Sequence, residues 1–353
     1  MKECRIRSHL LPVTLIISLF LFLIHLLLWR STAVIRTDID YVINTELYNY
    51  THPMHLLSSN DYRLLVNFTF TFDQLSLRCN ESTFLLVLVH SSPGNFQKRS
   101  TIRSTWGAKT GWMNIVFVTG RTENLTVRHQ LKKENKLHGD ILQGSFLDAY
   151  RNLTYKHVMA LKYAVYHCAQ AKYILKCDDD IFINIKLLKN YLSTDLSPFG
   201  IRNGLLCPVQ STASPFRTYR SKWRVSFEEY PGRKYPPYCL GYVIIYSPDV
   251  AFALYRAAQS SSTIFWIDDV HITGTMAEKS NISHTDITEW VIPYKDQMSL
   301  VNNNVYPIKP FLVSRPDLSE TEIKTFWNRV QAISVPKSIS SIPRDKTMRP
   351  KFI

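Results

Sequence analysis

The chain has 353 residues, of which 45% are hydrophobic and 12% aromatic, and this composition excludes a wholly disordered protein. Its formal net charge of +14 suggests a nucleic-acid partner, but neither alternating basic and aromatic platforms nor a zinc-finger spacing accompanies it. We therefore expect no nucleic-acid partner, and interpret the basic surface as suited to a nucleotide diphosphate or to acidic lipid head groups.

An apolar stretch near the amino terminus predicts a membrane anchor. Residues 10–29 carry no acidic or basic side chain except His25 and are long enough to span a bilayer as a helix. Basic residues dominate residues 1–9, so the positive-inside rule leaves this tail in the cytosol and the rest of the chain in the lumen. A cleaved signal peptide is the alternative, although its apolar core is usually shorter.

Three further segments follow the predicted anchor. Residues 30–60 are polar and lack a clear period, which is typical of a stem. The alternating segment at 66–72 indicates a strand and places the folded domain at 61–335. Residues 336–353, basic and interrupted by prolines, are interpreted as a C-terminal tail.

Sequons and cysteines agree with a lumenal location. Five cysteines follow the anchor, and we expect Cys177 to stay free because it lies in a strand beside carboxylates. The other four, Cys79, Cys168, Cys207 and Cys239, allow three disulfide connectivities. Asn-x-Ser/Thr sequons occur only after the anchor, at Asn49, Asn67, Asn80, Asn124, Asn152 and Asn281.

Strand and helix patterns alternate through the first half of the domain. Continuous apolar runs predict buried strands, and polar segments with apolar stripes predict helices, one of them a long helix between 147 and 168 with His157 on its apolar stripe. This order predicts an α/β fold with a mainly parallel sheet and helices on both faces. The strands are predicted at 84–89, 115–118 and 141–142, and the other helices at 97–106 and 125–137.

Three consecutive carboxylates end the next predicted strand. Residues 173–175 and 181–183 are apolar, and Asp178, Asp179 and Asp180 lie between them. Carboxylates held together in a poorly hydrated cleft repel one another unless a cation lies among them, and oxygen ligands suit Mg²⁺ or Mn²⁺. The alternative is a solvated acidic turn or helix cap. Ligands of parallel sheets bind beyond the carboxyl ends of the strands, where this order puts the aspartates.

Two later segments are candidates for binding and catalysis. Strands are predicted at 205–209 and 243–246, and between them residues 223–238 are rich in aromatics and proline. That loop suits a sugar, although structural packing explains it equally well. Asp268 and Asp269 follow an apolar run and begin a predicted helix, where acidic residues also act as caps. Since the chain has neither G-x-G-x-x-G nor a P-loop, any phosphate grip must come from cations and a metal.

Six ordered blocks resemble the lumenal β-1,3-galactosyltransferase and β-1,3-N-acetylglucosaminyltransferase group, glycosyltransferase family 31. The resemblance runs from about Tyr62 to Trp327. The blocks are FLLVLVHSSPGNFQKRSTIRSTWG (84–107), VFVTG (116–120), DILQGSFLDAYRNLTYKH (140–157), YILKCDDDIFIN (173–184), KWRVSFEEYPGRKYPPYC (222–239) and IDDV (267–270).

The resemblance implies a GT-A fold, a UDP-sugar donor, Mn²⁺ (or Mg²⁺) on the DDD motif and inversion at the anomeric carbon. It makes Asp269 the base that deprotonates the acceptor hydroxyl. The metal ligands would be Asp180 and Asp178, and the donor side would include Arg99, Arg103, Lys176, Asp178 and Asp179. Trp223 and Glu228 would lie near the sugar and the acceptor.

The chain departs from the family pattern at three places. Val243 replaces the second glycine of a C-S-G-x-G-Y segment, which is expected to narrow the site or move the loop. Asp268 replaces the usual glutamate. Many members have a metal-ligating histidine in the C-terminal part, yet no histidine follows His284, so His284 itself or water would take that place.

The leading hypothesis is a single-pass type II Golgi membrane enzyme. It would transfer galactose or N-acetylhexosamine from UDP to the 3-hydroxyl of a glycan acceptor on glycoprotein or glycolipid. The alternative is a family member that has lost catalysis and acts as a glycan-binding or chaperone-like partner in the lumen. A metal-dependent phosphohydrolase explains neither the aromatic loop nor the order of the blocks.

Overall fold

The computed structural model describes residues 41–47, 79, 81–302 and 309–331. The predicted anchor at 10–29, the segment at 66–72 and the C-terminal tail lie outside these ranges, as do Asn49, Asn67 and Asn80. A search of the described residues finds no helix that is both long and apolar enough to cross a membrane.

A seven-stranded mixed sheet forms the centre of the fold, in the order β11-β7-β10-β5-β2-β3-β4. Strands β2 to β5 are mutually parallel where they pair, and β10 runs antiparallel to both β5 and β7. Along the described chain the strands are β1 (Val42–Ile43), β2 (Leu85–His90), β3 (Met113–Arg121), β4 (Ile141–Leu147), β5 (Tyr173–Asp178), β6 (Ile201–Arg202), β7 (Leu205–Cys207), β8 (Val209–Gln210), β9 (Tyr238–Cys239), β10 (Val243–Tyr246) and β11 (Thr285–Asp286).

Helices cover the sheet between and after these strands. Local signals explain both ends of helix α2 (Leu125–His138): the Asn124 side chain caps its start, and Gly139 ends it in the left-handed region at φ 65°. The described helices are α1 (Phe96–Ser104), α2 (Leu125–His138), α3 (Leu153–His167), α4 (Ile185–Asn190), α5 (Pro248–Ser260), α6 (Ala277–Lys279), α7 (Tyr294–Val301) and α8 (Glu320–Gln331). A π-helical segment follows α4 at Tyr191–Leu196, and another, Asp269–Met276, leads into α6.

Alternate side chains of the central strands enter two separate hydrophobic cores. In β2, Leu85, Val87 and Val89 pack on one face, with residues of α1, α4 and α8. Leu86 and Leu88 pack on the other face, with α3 and α5. A strand buried on both faces reads as a continuous apolar run, which is the pattern that predicted it. The α/β prediction, with a mainly parallel sheet and helices on both faces, is confirmed.

The element boundaries differ from the predictions at several places, and the strand predicted at 205–209 is divided into β7 and β8, which belong to different sheets. Strands β3 and β4 extend beyond the apolar runs that predicted them, since polar residues continue both ladders. The predicted helix between 147 and 168 is shorter, because β4 runs to Leu147 and a 3₁₀ turn at Tyr150–Asn152 precedes α3.

The disulfides select one of the three possible connectivities. Cys79 bonds to Cys168, and Cys207 bonds to Cys239. Cys177 is a buried free cysteine, as predicted. The second bridge ties the end of β7 to β9, directly before the segment that leads into β10.

Candidate active site

The three consecutive aspartates lie at the carboxyl end of β5, the central strand of the sheet. The N–H of Asp178 donates to the carbonyl of Tyr242, 3.3 Å away, so the residues before β10 stand beside the acidic motif. Because β10 is antiparallel to β5, its first residue, Val243, pairs with Cys177. The same edge of the sheet therefore carries the DDD motif and the segment around Gly241.

Asp179 is held by the loop between β2 and α1. Its Oδ2 accepts hydrogen bonds from Ser91 Oγ at 2.7 Å and from Asn95 Nδ2 at 2.9 Å. Its Oδ1 lies 3.4 Å from Lys98 Nζ, which also approaches Asp180 Oδ2 at 3.7 Å. Asp179 therefore connects the end of β5 to the loop that follows β2. Lys98 brings a positive charge to both Asp179 and Asp180.

Asp178 and Asp180 have the properties of metal ligands. Burial raises the pKa of Asp178. Burial, followed by the charge of Asp178, raises the pKa of Asp180 to about 6. Asp180 Oδ1 is buried and has no hydrogen-bond partner among the described residues. A hard divalent cation supplies the partner that this oxygen lacks and neutralises the repulsion, so the donor set fits Mn²⁺ or Mg²⁺.

Lys176 links the two acidic pairs of the site. Its Nζ lies 3.2 Å from Asp178 Oδ1 and donates to the carbonyl of Gly241. Burial alone lowers the pKa of a lysine, but the charges of Asp178, Asp268 and Asp269 outweigh it and raise the pKa of Lys176. Since the side chain is only 4% exposed, its positive charge acts on these carboxylates with little screening by water.

Asp269 lies against the backbone of Gly241. The N–H of Gly241 donates to Asp269 Oδ2 at 2.9 Å, while Oδ1 has no partner among the described residues. Burial, then the charge of Asp268, raises the pKa of Asp269 well above its usual value. Asp269 as a residue is half-buried, and its oxygen without a partner can accept a proton from a substrate hydroxyl that reaches it.

The Asp268 side chain joins a buried hydrogen-bond network. Its Oδ2 lies 3.0 Å from Nδ1 of His157, and His157 Nε2 lies 2.8 Å from the Tyr246 hydroxyl. Burial raises the pKa of Asp268, but the hydrogen bond from His157 and the charge of Lys176 reverse the direction, so the pKa is lowered overall. The Asp268 side chain makes no capping bond to the following helical segment, so capping does not explain this acidic pair.

One atom each from His157, Asp268 and Asp269 falls within 4.8 Å of the others, which is compatible with a metal ion. Both ring nitrogens of His157 are already engaged, by Asp268 and by Tyr246. A metal on this histidine would have to break one of the two contacts. The DDD motif, with the unpartnered oxygen of Asp180, fits a cation better.

An aromatic cluster stands beside the second acidic pair. Trp223 stacks on Trp266, with ring centroids 6.3 Å apart and planes at 11°, and the Tyr150 ring lies 4.8 Å from Trp223. Burial raises the pKa of Tyr150, and the charges of Asp268 and Asp269 raise it further. A cavity of about 290 Å³, lined in part by Trp266, opens next to the cluster. Sequence analysis identified Trp223 but missed Tyr150.

Three other predicted residues lie apart from the carboxylates or are engaged elsewhere. Glu228 is exposed on the aromatic loop. Arg99 is fully buried, and its five N–H groups go to Glu134, Ser91 Oγ and the carbonyls of 92 and 93. Arg103, one helical turn further along α1, pairs with Asp140 and lines a second cavity of about 500 Å³ by residues 107–111. Arg99 therefore has no N–H left for a ligand.

The departures from the family pattern have structural outcomes. Val243 lies within β10 and packs in the hydrophobic core, where it pairs with Cys177 beside the DDD motif. The position that needs a glycine is Gly241, where a Cβ would overlap the Asp269 carboxylate. His284 contacts the carbonyl of Thr273 through Nε2 at 2.6 Å.

Known proteins resemble this chain over the region that carries the site. Lactosylceramide 1,3-N-acetyl-β-D-glucosaminyltransferase A of Danio rerio is 33% identical over 241 residues, covering 65% of this chain and 63% of that protein. The Homo sapiens lactosylceramide 1,3-N-acetyl-β-D-glucosaminyltransferase is 32% identical, covering 67% of this chain and 69% of that protein. β-1,3-Galactosyltransferase 5 of Homo sapiens is 36% identical over 203 residues, covering 56% of this chain and 64% of that protein.

A solved galactosyltransferase in complex with donor and acceptor sugar analogs aligns with 71% of this chain and 97% of its own, at 9% identity and a TM-score of 0.35. That score is too low to support an assignment. The family model described as Galactosyltransferase matches residues 97–288, which include α1, the DDD motif and the pair Asp268 and Asp269. The chain belongs to the galactosyltransferase family.

Proposed function

We propose that the protein is an inverting β-1,3-glycosyltransferase. It moves galactose or an N-acetylhexosamine from a UDP-sugar to the 3-hydroxyl of a glycan acceptor. The observation that carries the proposal is the convergence of two differently built carboxylate pairs at one edge of the sheet. Asp178 and Asp180 offer oxygens to a cation, whereas Asp269 offers a basic oxygen beside an aromatic cluster.

Asp269 acts as the general base. Its unpartnered Oδ1 takes the proton of the acceptor hydroxyl. At the same time the hydroxyl oxygen of the acceptor attacks the anomeric carbon from the face opposite UDP. The bond from the anomeric carbon to the diphosphate breaks, and its electron pair leaves on the diphosphate oxygen. The raised pKa of Asp269, caused by burial and by the charge of Asp268, makes it a stronger base than an ordinary carboxylate.

The leaving diphosphate is held at the DDD motif. Asp180 and Asp178 would hold Mn²⁺ or Mg²⁺, and the bound cation would supply positive charge to offset the charge that accumulates on the diphosphate. Lys98, near the start of α1, places a positively charged side chain beside Asp179 and Asp180. Lys176 fixes Asp178 from behind, and Asp179 and Arg99 fix the loop between β2 and α1. Arg103 supports α1 through Asp140.

The aromatic cluster forms the sugar and acceptor side. Trp223, Trp266 and Tyr150 present ring faces on which the apolar face of a sugar can stack. Tyr150 also lies close enough to Asp268 and Asp269 for their charges to raise its pKa. Glu228 is exposed on the aromatic loop, so its carboxylate is free of burial and can accept hydrogen bonds from acceptor hydroxyls.

The deciding experiment incubates the full-length protein with Mn²⁺, a panel of UDP-sugars and glycan acceptors, and follows product by mass spectrometry. Transfer that is lost with a chelator and in Asp180→Ala supports the proposal. Asp269→Asn is expected to lower kcat by about 10²–10⁴-fold while UDP and Mn²⁺ still bind. Glycan binding without transfer of any donor would instead favour the non-catalytic partner.

We further propose a Golgi location with the site in the lumen, through the anchor at 10–29. Two of the three sequons in the described ranges suit this orientation: Asn124 and Asn281 are exposed, and the Asn124 side-chain oxygen caps α2, which leaves its nitrogen to carry a glycan. The third, Asn152, donates its side-chain N–H to the carbonyl of Leu147 at 2.9 Å. Glycosidase treatment of protein from sealed microsomes tests it. Glycan chains protected from added enzyme until detergent is present would support a lumenal domain.

A further inference from the structure

A buried histidine stands behind the acidic pair and touches none of the groups proposed to meet substrate. His157 lies on α3, is fully buried, and is separated from Asp268 by 111 positions in the chain. It contacts Asp268 through Nδ1 and the Tyr246 hydroxyl through Nε2. Two contacts from opposite edges fix the plane of the imidazole ring, so this histidine has one orientation in the fold.

The partners also fix the proton of the imidazole. A carboxylate accepts hydrogen bonds but donates none, so Nδ1 must carry the hydrogen that joins His157 to Asp268. Nε2 of the neutral ring then accepts from the Tyr246 hydroxyl. Burial lowers the pKa of His157, which agrees with a neutral ring.

Asp268 connects this network to the proposed base. It directly precedes Asp269, and the two side chains leave the backbone toward different partners: Asp268 toward α3, and Asp269 toward Gly241 before β10. A contact that holds Asp268 in place therefore also holds the start of the Asp269–Met276 segment, and with it the orientation of the Asp269 side chain. A carboxylate at 268 without its donor would be buried, unsatisfied and free to turn toward Asp269 or Lys176.

We propose that His157 is a positioning residue of the transferase site, which holds Asp268 through Nδ1 and thereby aims Asp269 at the acceptor hydroxyl. The proposal rests on the proposed function, because it needs Asp269 as the base. Tyr246 supports His157 from the far side, so the series Tyr246, His157, Asp268 and Asp269 runs from the sheet to the reacting atoms.

The test compares kinetic constants of full-length variants. His157→Ala is expected to lower kcat about 10–100-fold, the worth of one hydrogen bond to a charged group, with donor KM within about 2-fold of wild type. His157→Asn places an amide N–H where Nδ1 stood and is expected to recover most of the lost kcat. Tyr246→Phe, which keeps the ring and removes only the hydroxyl, is expected to lower kcat less than His157→Ala.

A second arm asks whether His157 acts through Asp268. In an Asp268→Ala background, which removes the acceptor of the Nδ1–H bond, His157→Ala should lower kcat by less than about 2-fold more, because the interaction is already lost. Tyr163→Phe is the matched control: its hydroxyl is buried on the same helix without a partner among the described residues, so kcat should not change. Thermal unfolding of each variant reports whether it is folded.

The outcomes separate this inference from the proposed function. A wild-type protein that transfers no sugar overturns the function. An active wild type with a His157→Ala variant of equal kcat overturns the inference alone. So does a folded His157→Asn that is no better than His157→Ala, or a loss that falls on donor KM and UDP affinity instead of kcat.

Discussion

The backbone N–H of Gly241 donates to Asp269 Oδ2 over 2.9 Å, and no side chain fits between them. A Cβ at position 241 would overlap the carboxylate itself. Gly241 also gives its carbonyl to Lys176, so one residue holds the proposed base through its N–H and the central lysine through its oxygen. Gly241 therefore lies between Asp269 and Lys176, and Lys176 in turn contacts Asp178 of the DDD motif.

Gly241→Ala is therefore expected to displace Asp269 and lower kcat by about 10²-fold or more, close to the effect of weakening a general base. The fold should survive, because the displaced group is a side chain at the edge of the sheet. Steady-state kinetics and thermal unfolding measure both. Gly111→Ala is the control, since a Cβ there meets open space. An active Gly241→Ala variant would contradict the placement of Asp269.

The pKa of Asp180, raised to about 6 by burial and by the charge of Asp178, predicts a pH dependence of metal binding. A protonated carboxylate does not bind a cation, so Mn²⁺ affinity should be about 10-fold weaker at pH 5 than at pH 7. Calorimetric titration of Mn²⁺ at the two pH values measures this. Glu81→Gln, at an exposed position, should keep the same pH dependence as wild type, and Asp180→Asn should lose it.

The raised pKa of Asp180 also predicts how the stability of the metal-free protein changes with pH. The folded pKa lies above the usual value of 3.8, so the folded state keeps a proton that the unfolded state releases between these values. The favourable contribution of Asp180 is therefore lost as pH rises through about 6. Asp180→Asn should raise Tm of the metal-free protein by about 2–4 °C at pH 7 and by less at pH 5. An equal change at both values would contradict the sign.

The sequence was sufficient to predict the fold class, the position of the DDD motif and the free Cys177. Apolar runs report burial on both faces of a strand, and strand ends report where ligands bind. It could not predict which distant residues meet. His157 was visible on an apolar stripe, but a stripe gives burial and not a partner 111 positions away. Gly241 and Asp269 meet only because β10 is inserted antiparallel beside β5.

The family resemblance proposed Arg99 and Arg103 for the donor side. In the structure, Lys98 is the residue of α1 whose side chain approaches Asp179 and Asp180. The helical positions of adjacent residues differ by about 100°, so neighbours in the sequence face different surroundings. Without the neighbouring strands, the face that meets the motif could not be chosen.

Substitutions of Lys98 and Arg99 should therefore affect different properties: Lys98 the affinity for the UDP-sugar, and Arg99 the stability of the fold. Lys98→Ala is expected to weaken UDP-sugar binding about 5–10-fold with little change in Tm, because the side chain is partly exposed and pairs with carboxylates at the site. Arg99→Lys is expected to lower Tm, since a lysine cannot replace five N–H bonds in a buried loop. Isothermal titration with UDP and thermal unfolding measure the two. A stable Arg99→Lys protein that binds UDP poorly would instead assign Arg99 to the ligand.

The bridge between Cys207 and Cys239 is expected to serve the site as well as stability. Cys239 lies two residues before Gly241, and the bridge closes a separation of 32 residues, for which chain entropy predicts about 3–4 kcal/mol. Replacing both cysteines with alanine should lower Tm and also lower kcat, because Gly241 loses its anchored neighbour.

The bridge between Cys79 and Cys168 provides the control, since it closes a longer separation, 89 residues, at the end of α3 away from the motif. Its double alanine variant should lose at least as much stability while keeping kcat at a temperature where it is folded. If both pairs change kcat equally at matched stability, the Cys207–Cys239 bridge has no special part in holding the Gly241 segment.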